Sequence, residues 1–213
     1  MITHNRFARL QFAVAVAVTC TLLFAAITLG VHYLRPFTST IEVRTFSGAV
    51  QPARKLAPDF RLLDQQGLPI QLSDLRGEVI VLAFLYTSCR DDCPLIADQI
   101  RGALDNLKQQ PVVLAITVDP EGDTPRRINR FLVNHHLSGR MHFLSASREQ
   151  LEPLWRHYGI APQSGRLNHS DYVLLIDREG HRRVSFTLQD LTPDALTHDL
   201  RLLLEERSLK LAS

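Results

Sequence analysis

Acidic side chains are missing from the first 41 of the 213 positions; Glu42 is the first. Cysteine is scarce, at three residues, which is too few for a disulfide-stapled scaffold. No internal repeat and no low-complexity segment interrupts the chain, and it holds a single long uncharged apolar run. These absences exclude a collagen-like chain, global disorder and a multi-span membrane protein. What is present fits a folded domain: 45% hydrophobic and 22% charged residues, in a length that accommodates one globular domain and an appendage.

The apolar run is Phe12 to Val31, 20 residues without a charge. At 1.5 Å per residue a helix of roughly 20 residues crosses the hydrocarbon core. Arg6 and Arg9 precede it and Arg35 follows, so the short basic end is expected in the cytoplasm and residues from about 35 onward are expected to be exported. A cleavable signal peptide needs a shorter apolar run and a small-x-small site, which neither Ala25-Ala26-Ile27 nor Thr28-Leu29-Gly30 supplies well. Cys20 has the bulky Thr19 before it and reads as a membrane-helix residue rather than a lipidation site. Without the arginines at 6, 9 and 35, the chain has 21 basic against 22 acidic residues. That balance leaves nucleic-acid binding without an electrostatic motive.

Five segments follow from these patterns: a cytoplasmic end (1–11), a transmembrane anchor (12–31), a tether (32–57), a folded domain (58–206) and a tail (207–213). The tether is irregular and proline-bearing, with a short edge strand expected around Ile41 to Phe46. Alternation at Asp59 to Leu62 and Leu68 to Leu72, around the turn Asp64 to Gly67, predicts a hairpin whose Pro69 suits an edge. Val79 to Leu85 and Val112 to Val118 are continuous apolar runs, the mark of strands buried on both faces. Helical spacing of Ile96, Ile100, Ala103, Leu104 and Leu107 predicts a helix after the first run, and a second helix is expected over 126–134. A short strand at Met141 to Leu144 precedes a helix capped by Ser147, and strands at Tyr172 to Ile176 and Val184 to Leu188 form a hairpin. A last helix starts at Thr192-Pro193. Strands alternating with helices imply a three-layer α/β domain with a mixed sheet.

Cys89-Arg90-Asp91-Asp92-Cys93-Pro94 lies where the first buried strand hands over to a helix. Cysteines at i and i+4 on a helical turn share a face with Cα atoms roughly 6 Å apart, which permits a disulfide or joint binding of one metal ion. The helix start favours thiolates, the nucleophilic and ligating form. Arg90 acts in the same direction and Asp91 and Asp92 against it. A structural disulfide across so short a loop restrains the unfolded chain little, so a redox or metal role fits better.

A metal would need a third donor. Of nine histidines, His135, His136 and His157 suit solvated or capping positions. His169, in the loop Asn168-His169-Ser170 before a strand, can face the helix start that carries the cysteines. Two thiolates and an imidazole suit Cu(I), and Cu(II) with a further ligand; structural zinc takes four protein ligands and no fourth is found.

Four segments in order resemble the Sco/SenC family of membrane-anchored, thioredoxin-like copper chaperones. They are Pro58 to Leu62 with Asp64 and Gly67, Phe84 to Pro94, Val118 to Pro125, and Asn168 to Tyr172 with Leu175 to Asp177 and Gly180. The resemblance spans about 50 to 206 and implies a thioredoxin-like α/β/α domain with Cys89, Cys93 and His169 as copper ligands. It implies a periplasmic domain on a bacterial inner-membrane anchor, loaded by a copper donor protein. Delivery would be to the binuclear copper centre of cytochrome c oxidase subunit II or to a related copper enzyme. Thiol-disulfide oxidoreduction through Cys89 and Cys93 is the rival reading; a peroxidase is a third and gives His169 no task. Two positions depart from the family: Arg90 stands where proline is usual after the first cysteine, and Gly122 where a basic residue is frequent. Asp119 and Asp123 are expected to order their loop and cap the next helix rather than bind metal.

Overall fold

The computed structural model describes residues 17–28, 45–51, 55–160 and 173–210. It divides into two compact units, 1–43 and 44–213. In the first, α1 covers 17–28 and exposes Val18, Leu22, Leu23, Phe24 and Ile27. Among the described residues no helix is long and apolar enough to cross a membrane, and the remainder of the expected 12–31 span lies outside them.

The second unit is built on a six-stranded sheet in the order β1-β8-β7-β4-β5-β6. Its strands are β1 (Ala49–Val50), β4 (Ile80–Leu85), β5 (Val112–Thr117), β6 (His142–Leu144), β7 (Val173–Ile176) and β8 (Arg182–Phe186). The remaining two, β2 (Arg61–Leu63) and β3 (Pro69–Gln71), form a two-stranded hairpin that accommodates Pro69, and Leu63 adds a single antiparallel bridge to Ser145. β4, β5 and β6 run parallel, while β7 is antiparallel to β4 and β8 to β7, so the sheet is mixed as expected.

The apolar runs are continuous because both faces of the central strands are covered. Val81, Ala83 and Leu85 of β4 enter one cluster, with Val113 and Ala115 of β5 and Val173 and Leu175 of β7. Ile80, Leu82 and Phe84 enter the opposite cluster, with Leu114, Ile116, Leu174 and Ile176. On the first side lie α2 (Asp92–Asp105), α3 (Pro125–Asn134) and α5 (Pro193–Lys210); on the second lie α4 (Arg148–Tyr158) and the hairpin. Burying each large aliphatic or aromatic side chain of these layers contributes about 1.5–3 kcal/mol.

Four expectations need correction. Residues 45–50, assigned to the tether, are fastened to the folded unit, which therefore reaches back before 58. The buried carboxylate of Asp199 accepts the N–H of Ser47 (2.7 Å) and of Gly48 (3.0 Å), and β1 then pairs with β8. An edge strand forms at Ala49–Val50, just after those two amides; of the expected 41–46, residues 41–44 lie outside the described residues and Thr45 and Phe46 are not in a strand. β8 lies two residues earlier than Val184–Leu188, because its charged residues find partners: Arg183 pairs with Glu206 and Asp177, and the Arg182 N–H donates to Lys55 O. Finally, α5 runs to Lys210, into the stretch read as a tail from 207.

Candidate metal and redox site

β4 ends at Leu85, and a turn closed by the Cys89 N–H on Tyr86 O (3.4 Å) brings the chain round to the start of α2. The helix begins at Asp92, with Asp91 as N-cap. Cys89 therefore lies ahead of the helix and Cys93 inside its first turn, so the pair does not share one helical turn as the i, i+4 spacing predicted. The Asp91 side chain makes no capping bond. Its office falls to sulfur: the Cys93 N–H, one of the unsatisfied amides of the first turn, donates to Cys89 Sγ at 3.2 Å.

Both thiols are free; Cys89 is half-buried and Cys93 has no exposure. This difference separates their acidities. The Cys93 thiol hydrogen-bonds to the Cys89 sulfur and, against the cost of burial, pushes Cys89 down to about 5, helped by the backbone N–H groups of Cys93 and Asp91 and by Tyr86. The same contact, with burial, pushes the Cys93 thiol far up. Tyr86 is raised to about 12, mainly by burial and then by the Cys89 sulfur. Cys89 is thus the more acidic of the two, and a proton retained by the pair is favoured on Cys93. Arg90 is exposed beside the pair.

The turn is tied from below by a residue the sequence placed in another role. Asp123, 3% exposed, accepts the Thr87 N–H (2.8 Å), the Thr87 hydroxyl (2.6 Å) and the Thr117 hydroxyl (2.6 Å). Burial raises its pKa against these bonds. Asp123 does not cap α3: Thr124 does, accepting the Arg127 N–H at 3.4 Å, with Pro125 at the first helical position. That Thr-Pro pair was the available signal that Asp123 was free for other work. Asp119 does order its loop, accepting the Gly122 N–H at 3.1 Å. Its carboxylate occupies the place a Gly122 Cβ would take, 2.0 Å from Oδ2, which accounts locally for glycine at this departure.

The structure brings Cys89 and Cys93 together; His169 lies outside the described residues. Among the described residues no three His, Cys, Asp or Glu side chains converge as a metal-binding group. His135 and His157 behave as expected of surface histidines. His135 ends α3 with Nδ1 at 2.9 Å from Asp98, and His157 Nδ1 contacts Pro153 O at 2.7 Å.

The family model of SCO1/SenC matches residues 48–205. The chain belongs to the SCO1/SenC family. Within it, the chain is 28% identical over 144 residues to an SCO2-like protein of Rickettsia prowazekii, covering 63% of this chain and 70% of the relative. The apo Sco1 protein of Thermus thermophilus superposes with a TM-score of 0.63 at 26% identity, over 76% of this chain and 99% of that one. The ScoI protein of Bradyrhizobium japonicum, solved with copper bound, superposes with a TM-score of 0.56 at 25% identity, over 70% and 99%. The mixed α/β architecture of this SCO1/SenC member is thus shared with solved Sco proteins.

Proposed function

We propose that this family member is a copper chaperone that binds copper through Cys89, Cys93 and His169. It passes the metal to the binuclear centre of cytochrome c oxidase subunit II or to a related copper enzyme. The observation that carries the reading is the cysteine pair itself: a half-buried thiol at Cys89, made acidic by its neighbours, in contact with a buried thiol at Cys93 at the start of α2. Two soft sulfurs fit Cu(I), and loading displaces the proton held on Cys93. The register of β7 supports the third donor. Because β7 is antiparallel to β4 and Val173 pairs with Ala83, β7 begins, four residues after His169, at the end where β4 leads into Cys89. Copper is cargo here, and release proceeds by exchange with the acceptor's own ligands.

The hydrophobic segment 12–31 serves as an inner-membrane anchor, with the folded unit in the periplasm. Recovery of the full chain in membranes after an alkaline wash, and its release on deletion of 1–31, is the expected result. Recovery of the intact chain in the soluble fraction refutes the anchor.

The deciding experiment is an anaerobic Cu(I) titration of the full chain against a chromophoric chelator. His169→Ala should weaken binding by more than roughly tenfold, since loss of even an outer partner costs a metal site about 10–100-fold. Unchanged affinity removes the three-ligand site.

A second reading, thiol-disulfide oxidoreduction, is favoured by the unequal acidities of the pair. The Cys89 thiolate attacks a sulfur of the target disulfide and forms a mixed disulfide, releasing one target thiolate. Cys93 then gives up its proton and attacks Cys89 Sγ, freeing the second target thiol, and Cys89–Cys93 ends as the disulfide. Two electrons pass to the target. His169→Ala leaves this reaction intact while lowering copper affinity, which distinguishes the two.

A further inference from the structure

On its sulfur side the turn that presents Cys89 is held by backbone N–H groups: those of Cys93 and Asp91 meet Cys89 Sγ, and that of Tyr86 meets Cys93 Sγ. Ser88 and Arg90 are exposed, and among the described residues the main-chain N–H to C=O bond closing the turn, Cys89 N–H to Tyr86 O, is long at 3.4 Å. A hydrogen bond of that length is weak. By contrast, both donors of Thr87 terminate on one buried carboxylate oxygen, Asp123 Oδ1, at 2.8 and 2.6 Å, while Oδ2 takes the Thr117 hydroxyl. Bonds to an ionised acceptor are roughly twice as strong as neutral ones. Thr117 is itself anchored in the core, since its carbonyl accepts the Nε1–H of the buried Trp155 at 3.0 Å. Asp123 thus ties the Thr87 corner of this short turn to the rigid end of β5.

We propose that Asp123 is a positioning residue of the cysteine site, holding Thr87 so that the turn Tyr86–Cys89 aims the Cys89 sulfur at Cys93. It touches neither sulfur and acts through the two backbone units between Thr87 and Cys89. Its value lies in effective concentration: with the turn fixed, Cys89 Sγ is held beside Cys93 before copper arrives or a disulfide closes. The copper part of this inference rests on the proposed copper-binding reading; the redox part does not.

Three variants of the full chain in detergent separate positioning from general stabilisation. Asp123→Asn keeps the shape and removes the charge and one acceptor; Thr87→Val removes the hydroxyl on the cysteine side; Thr117→Val removes the hydroxyl on the β5 side. Each is measured by Cu(I) titration and, without metal, by equilibration with glutathione. In that equilibrium the Cys89–Cys93 dithiol gives two electrons and two protons to oxidised glutathione, yielding the protein disulfide and two reduced glutathiones.

Asp123→Asn and Thr87→Val should each lower copper affinity and the disulfide-forming constant by about tenfold, the loss expected when effective concentration falls. Thr117→Val loosens the anchor of Asp123 but leaves both Thr87 bonds in place, so it should lower both constants by less than Thr87→Val does, although it lowers the melting temperature as well. No effect of Asp123→Asn in a folded protein, or a loss with Thr117→Val as large as with Thr87→Val, overturns the proposal. If Asp123→Asn fails to fold, the two threonine variants decide it. If the wild type binds no Cu(I), the copper reading fails by itself, and the glutathione constants alone decide whether Asp123 positions the pair.

Discussion

The backbone N–H of Cys93 donates to the sulfur of Cys89 at 3.2 Å, so the half-buried cysteine occupies the place that a serine or aspartate side chain takes at most helix starts. Structure and chemistry meet in that contact, because an acceptor that stabilises the first turn is also stabilised as an anion.

Alkylation by iodoacetamide should therefore modify Cys89 alone in the native, metal-free protein. Cys89 is lowered to about 5 from an ordinary thiol value of 9.0. Its deprotonated fraction is nearly complete above about pH 6 and falls roughly tenfold per unit below 5. The rate should be flat from pH 6 to 8 and drop in acid, read by mass spectrometry of quenched samples. A rate that climbs through pH 8 to 9 contradicts the thiolate assignment.

Trp155→Phe tests the support beneath the site. The indole N–H donates to Thr117 O in the interior, and the ring is 1% exposed. Removing that donor should cost about 1–3 kcal/mol in chemical denaturation, within the range for a buried polar group that loses its partner. A loss below about 0.5 kcal/mol shows that the carbonyl finds another donor.

Asp199→Ala tests the clamp on the entering chain. It removes the acceptor for the Ser47 and Gly48 amides. Amide exchange at those two positions should accelerate sharply while exchange in β4 stays slow, since fastening at an edge opens below the global unfolding energy. Gly48→Ala should loosen the same place from the other side. Its Cβ would lie 2.6 Å from Val184 Cγ1 and 2.8 Å from Ser185 O, an overpacking worth about 1–3 kcal/mol.

Periodicity made the layered core legible in the sequence. Val79 to Leu85 has no polar member, and in the structure alternate residues of β4 do face the two separate clusters. The cysteine pair was legible for a similar reason, being two reactive residues at a strand-to-helix boundary. What escaped was non-local or a matter of one or two residues. Asp123 and Thr87 are 36 positions apart, and no spacing rule links them. The helix start at Asp92, which removes Cys89 from the helical turn, depended on a sulfur acting as a cap. Arg182 and Arg183 fall outside the strand expected at Val184 to Leu188 because a charged pair marks a strand only once its partners are known: Lys55 and Glu206 are far along the chain, and Asp177 lies across the turn. The fastening at Gly48 was invisible because its acceptor, Asp199, is 151 residues away.

The folding of the Asp119 carboxylate over Gly122 constrains how this loop can evolve. A side chain at 122 meets Asp119 Oδ2 at 2.0 Å and can be admitted only if that carboxylate swings away and gives up the Gly122 amide. Glycine at 122 is thus what lets Asp119 fold back over its own loop; a side chain there costs the Asp119–Gly122 bond rather than the fold, because the carboxylate can rotate out of the way.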